Sequence, residues 1–166
     1  MKLPSQRHHL SLWILAATAP MLSLTPGCSS QSSNADGGDA IDCTNDSRVA
    51  AYSPAMSVSS MNGSTRYTLA QASPAPPAVG VNTWTLRMAD SSGHALANLA
   101  QPIDFPFMPD HGHGSSVRPQ ATLNGDSSYT INNLYFFMPG VWRITFSTMP
   151  DASPSNAGVF FFCVPG

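Results

Sequence analysis

Alternation of apolar and polar residues is the clearest pattern in the chain, and it predicts β-strands. Trp84, Leu86 and Met88 alternate with polar neighbours, and residues 141–146 repeat the same pattern. A period of two residues places such side chains on one face of a half-buried strand. The pattern predicts eight strands, at residues 48–58, 65–72, 82–89, 95–105, 117–123, 128–136, 141–148 and 158–164.

Turn-forming residues separate these runs. Residues 90–93 and 124–126 have turn sequences, and the proline-rich residues 73–80 predict a stiff, extended connection. Short strands joined by such turns indicate an all-β fold, an immunoglobulin-like antiparallel β-sandwich of about seven strands. We expect the aromatic residues to fill its interior, namely Trp84, Tyr129, Trp142 and Phe160 to Phe162.

The first part of the chain predicts export. Residues 1–27 read as a signal peptide, because positive charges precede an apolar stretch too short to span a membrane. The residues up to Cys28 resemble a bacterial lipoprotein box, in which the cysteine is lipidated; secretion without a lipid is the alternative. Residues 28–42 then form the lipidated cysteine and a flexible tether, and residues 43–166 the folded domain. We expect a lipid-anchored protein of the bacterial envelope that faces the periplasm, and Ser29 favours the outer membrane.

Two cysteines remain after Cys28, and they lie at the two ends of the predicted domain. Cys43 and Cys163 would meet an oxidising compartment after export, which favours a disulfide between them. A thiolate metal site is the alternative, although the spacing of the two cysteines gives no ligand motif.

Charge and composition exclude several functions. The 166 residues contain no Glu, and Lys2 is the only lysine. Phosphate-binding loops need a lysine and glutamate-dependent metalloproteases need a glutamate, so both are excluded. The chain has no basic patch, which argues against nucleic acid as a partner. It also has no nucleophile elbow or activated cysteine, so we do not expect an enzyme.

One short loop contains several side chains that can bind a metal ion. Met108, His111 and His113 lie close together, and Gly112 gives the backbone between the histidines freedom to turn. Thioether and imidazole donors suit Cu(I), and Met138 could complete the set. The alternatives are that the histidines are simply exposed in a tight turn and that the methionines fill the core.

The same residues carry a family resemblance. Residues 108–114 read M-P-D-H-G-H-G, and residues 138–142 read M-P-G-V-W. With the flanking strands from Gly80 to Phe146, these elements resemble the YtkA-like domain, which is related to the FixH group. The resemblance implies an envelope β-sandwich and, in some relatives, copper handling or assembly of respiratory oxidases. Met108, His111 and His113 fall on the first element and Met138 on the second.

Three functional hypotheses follow. The first is a lipid-anchored module that binds or passes on copper through Met108, His111, His113 and Met138. The second is a structural or interaction lipoprotein that docks onto another envelope protein, with the glycine-rich loop serving only as a turn. The third, a hydrolase, would require a pocket with converging polar groups.

Overall fold

The computed structural model describes residues 43–101 and 103–166, which lie within one compact unit. The predicted signal peptide, the predicted lipidation site Cys28 and the predicted tether lie outside the described residues. Within the described part of the chain, no helix is long and apolar enough to cross a membrane.

Ten strands form two antiparallel sheets in this part of the protein, which confirms the predicted immunoglobulin-like β-sandwich. One sheet has the order β1-β2-β3-β8-β7, with β4 also paired to β3, and the other has the order β10-β9-β5-β6. The strands are β1 Met56–Ser59, β2 Thr65–Ser73, β3 Gly80–Asp90, β4 Ala95–Leu96, β5 Phe107–Met108, β6 His113–Gly114, β7 Gln120–Leu123, β8 Tyr129–Phe136, β9 Gly140–Phe146 and β10 Gly158–Val164.

The structure confirms the long predicted strands, which correspond to β2, β3, β8, β9 and β10. Two predicted strands, at residues 48–58 and 95–105, are wrong over most of their length. Within residues 48–58 only the last three belong to a strand, the short β1, because Pro54 and the left-handed Ala55, with φ of 63°, interrupt the run. Among the described residues of 95–105, only β4 is a strand, and Leu99 forms a single bridge to Thr148. Leu99 and Ile103 are still buried and pack into the core from irregular backbone, whereas Phe105 is 38% exposed.

The core is centred on Trp84, which has no exposed surface. Its ring lies between 5.2 and 6.4 Å from the ring centroids of Phe136, Phe146, Phe160 and Phe162. These partners come from both sheets, because Phe136 belongs to β8 and the other three to β9 and β10. Tilted and edge-on aromatic contacts of this kind add to the stabilisation from apolar burial. The cluster therefore joins the two sheets.

The predicted disulfide is present. Cys43 and Cys163 are bonded, with Cα atoms 5.3 Å apart, so β10 is tied to the residues before β1. We call residues 43–50 the N-terminal segment. Its far end is also fixed, because the amide of Ala50 donates a hydrogen bond to the Phe161 carbonyl at 3.3 Å. The segment therefore lies against β10 at both of its ends.

Replacing both cysteines by serine should lower the free energy of unfolding. The bond closes a loop with a sequence separation of 120, and the chain-entropy model gives about 4 to 5 kcal/mol for loops of this length. Chemical denaturation followed by tryptophan fluorescence measures the loss. As a control, a reductant should lower the midpoint of the unmodified protein and leave that of the double variant unchanged. Equal midpoints for the unmodified protein and the double variant, both measured without reductant, would contradict the prediction.

Candidate metal centre

The histidine-containing loop is the turn of a short hairpin formed by β5 and β6. Met108 and His113 are directly paired across the two strands. The Met108 carbonyl accepts hydrogen bonds from the amides of His111, at 3.3 Å, and Gly112, at 3.0 Å. Gly112 has φ of 67°, a left-handed conformation that glycine adopts readily. The predicted tight turn is thus present, and its residues are 109–112.

This hairpin lies at the edge of the second sheet. Phe107 pairs with Arg143 of β9, and the Arg143 guanidinium lies 4.9 Å from the centre of the Phe107 ring. That cation–π contact and the backbone pairing hold β5 against β9. The β8–β9 turn, residues 137–139, comes directly before β9 in the chain. The hairpin and this turn therefore meet at one end of the sandwich.

The two imidazole rings of the hairpin lie side by side. The ring centroids of His111 and His113 are 5.4 Å apart, and the His113 ring is also 5.4 Å from that of Phe137. Both histidines are exposed. Among the described residues, no hydrogen bond to a ring nitrogen of either histidine is present. His94 differs, because its Nδ1 lies 3.2 Å from Asp90 Oδ2 in the β3–β4 turn, away from this hairpin.

The two predicted methionine ligands both lie close to Gly140, Met108 in space and Met138 two residues before it in the chain. Met108 is fully buried in the hydrophobic core, and its methyl group reaches Gly140. Met138 is partly buried against the same core. Its carbonyl accepts a hydrogen bond from Trp142 Nε1 at 3.0 Å, which fixes the backbone of the β8–β9 turn. The structure therefore brings all four predicted residues to the same end of the domain, with Met108 packed as a core residue.

The spacing of the rings fits a shared ion. Two imidazoles that bind one metal at about 2 Å and at near-tetrahedral or trigonal angles have centroids about 5 to 5.5 Å apart, and the observed separation is 5.4 Å. Within residues 43–101 and 103–166, no three His, Cys, Asp or Glu side chains are placed to hold a metal. The thioethers of Met108 and Met138, which lie at the same end of the domain, are the further donors that the sequence predicted.

An ion pair that the sequence did not predict lies beside the histidines. Arg48 donates two hydrogen bonds to the Asp110 carboxylate, at 2.8 and 2.7 Å. It also donates to Asp46, at 2.9 and 2.6 Å. These hydrogen bonds hold the pKa of Asp110 below its usual range and lower that of Asp46 to about 2. The hairpin is thereby joined to the N-terminal segment.

Fold and hairpin together define a class of protein, a small β-sandwich with two histidines and two methionines gathered at one end. The family model described as YtkA-like matches residues 61–147, just over half of the 166 residues. The chain belongs to the YtkA-like family. The matched region includes the hairpin and the β8–β9 turn, whereas Arg48 and the disulfide lie outside it. No significant match to this chain occurs among curated proteins or among solved structures.

Substituting alanine for Gly140 should destabilise the protein and displace Met108. A Cβ atom there would lie 2.6 Å from the Met108 methyl, and φ of 135° is unfavourable for other residues. We expect a loss of about 1 to 3 kcal/mol in the free energy of unfolding, from overpacking and backbone strain. Denaturant titration measures it.

Gly80→Ala is the matched control for that variant, because Gly80 also has a positive φ, of 107°, but no atom lies within 4 Å of a Cβ there. Backbone strain alone should lower its free energy of unfolding by about 1 kcal/mol, less than the loss at Gly140. A Gly140→Ala variant as stable as this control would show that Met108 does not require the space above Gly140.

Proposed function

We propose that this domain binds a Cu(I) ion at the end of the sandwich, through His111 and His113 with thioether donors from Met108 and Met138. The observation that carries the proposal is the side-by-side placement of two exposed imidazoles on a hairpin whose strand β5 also carries the core residue Met108. Imidazole nitrogen together with thioether sulfur suits Cu(I) better than Ca²⁺ or Mg²⁺, which prefer oxygen ligands.

The fold supports this donor set in two ways. Met108 and His113 are a cross-strand pair, so their side chains leave the hairpin on the same face, with Cβ atoms about 4.5 to 5.5 Å apart. The contact between the His113 and Phe137 rings places the β8–β9 turn next to them, and Met138 is the next residue in that turn. Donors from two separate stretches of chain are thereby available to one ion.

The proposed cellular role follows from the predicted export of the protein. A domain anchored through a lipid on Cys28 would bind copper at the envelope, facing the periplasm, and pass it to another envelope protein. Exposure of both imidazoles supports such transfer, because an incoming donor group could reach the ion without unfolding the domain. Copper binding requires no lipid, so the site can be tested on the purified protein without a lipid anchor.

Replacing His111 and His113 together by alanine should abolish saturable Cu(I) uptake. Removing a group that only hydrogen-bonds to a metal ligand costs about 10- to 100-fold in metal affinity. Loss of both imidazole ligands should therefore weaken binding at least about a hundredfold. Competition against a chromophoric Cu(I) chelator measures the affinity, with about one ion expected per chain for the unmodified protein.

The control for this pair is His94→Ala, which removes an exposed histidine from the β3–β4 turn. Its Cu(I) affinity should equal that of the unmodified protein. Unchanged uptake by the His111 and His113 double variant would reject the metal site and leave the hairpin as a structural turn.

Two methionine variants separate the roles of the sulfurs. Met138→Leu should lower Cu(I) affinity at least about tenfold if its thioether binds the ion. Met108→Leu should do the same with little loss of stability, because the two side chains have similar volumes.

Met61→Leu is the matched control for both methionine variants, since Met61 is 84% exposed and belongs to the loop after β1. The unfolding midpoint of each variant is measured alongside its affinity. Full affinity in both the Met108 and Met138 variants would contradict thioether ligation.

A further inference from the structure

We infer that Arg48 determines the metal preference of the proposed site by keeping the Asp110 carboxylate away from the histidine pair. This inference rests on the proposed function, because it concerns the same two imidazoles. Asp110 is the residue before His111, and Arg48 occupies both of its carboxylate oxygens. With that carboxylate engaged, the remaining donors near the rings are thioethers, which favour a soft monovalent ion.

Asp110 would otherwise be a natural third ligand. A set of two histidines and one aspartate binds Zn²⁺ well, because zinc accepts nitrogen and carboxylate oxygen at similar distances. Yet no such three-residue group forms within the part of the chain that the structure describes. We attribute the absence of this group to the planar guanidinium of Arg48, since it binds a carboxylate with two parallel hydrogen bonds and holds it in a fixed orientation.

The position of Arg48 is itself fixed by the fold. The N-terminal segment is joined to β10 by the disulfide at Cys43 and by the backbone hydrogen bond at Ala50. Arg48 lies between these two attachments, and its Nε and Nη2 atoms also bind Asp46. Its guanidinium is therefore held beside the hairpin from one side while it binds Asp110 on the other.

Replacing Arg48 by glutamine should therefore raise the affinity for Zn²⁺. We expect an increase of up to about fivefold, because a freed Asp110 adds a direct ligand but the exposed ion pair that holds it is weak. Cu(I) affinity should change much less, so the ratio of Cu(I) to Zn²⁺ affinity should fall. Zn²⁺ binding is measured by competition with a fluorescent zinc chelator, and Cu(I) binding by competition with a Cu(I) chelator, both on the same purified protein.

Three variants exclude other causes. Removing Arg48 also makes the surface more negative, but Arg48→Gln combined with Asp110→Asn has the same net charge as the unmodified protein and should bind Zn²⁺ no more tightly than it. Asp46→Asn leaves the bond between Arg48 and Asp110 in place and should leave Zn²⁺ affinity unchanged. Arg87→Gln breaks the comparable exposed pair with Asp126, and it too should leave Zn²⁺ affinity unchanged.

The outcomes are distinguishable from failure of the copper proposal. Absence of Cu(I) binding by the unmodified protein would reject the proposed function. Normal Cu(I) binding, together with an unchanged Zn²⁺ affinity in the Arg48→Gln variant, would overturn the role of Arg48 alone. A gain in Zn²⁺ affinity that persists in the double variant would also overturn it. Should Arg48→Gln lower the unfolding midpoint strongly, binding is measured at a temperature at which the variant is folded, and an unchanged Zn²⁺ affinity there overturns the inference as well.

Discussion

The packing of Trp84 against aromatic rings from both sheets is the contact on which the rest of the structure depends. Its partners on β8, β9 and β10 set how the two sheets lie across from each other. Because β8 and β9 belong to different sheets, the turn between them crosses from one layer to the other. That crossing brings Phe137 to the His113 ring and Gly140 to the Met108 methyl. A site at this end of the molecule is thus a consequence of core packing.

The candidate site combines a buried layer with an exposed one. Met108 belongs to the core and is fully enclosed, whereas the two imidazoles of the same hairpin are open to solvent. The ion pair between Arg48 and Asp110 adds a third component, and its Arg48 lies outside the residues that the YtkA-like family model matches.

Periodicity predicted the parts of the fold that depend on local pattern. Trp84, Leu86 and Met88 are all buried as their alternation indicated, and the disulfide was predicted from the expected export and from the number of cysteines. The strands β5 and β6 have two residues each, too few to show any period. The pair between Arg48 and Asp110 joins residues 62 positions apart, and both belong to loops. No local sequence pattern predicts a contact between two such distant loop residues, because tertiary packing brings them together.

The position of the disulfide has a consequence for how the domain would meet a partner. Cys163 pairs with Val141 in the β9–β10 ladder, one residue from Gly140, so the preceding chain joins the domain at the same end as the imidazoles. If residues before Cys43 are held at a membrane, the histidines lie on the end of the domain from which that connection runs. The length of the connecting chain would then limit the distance from the membrane at which the hairpin could meet a partner.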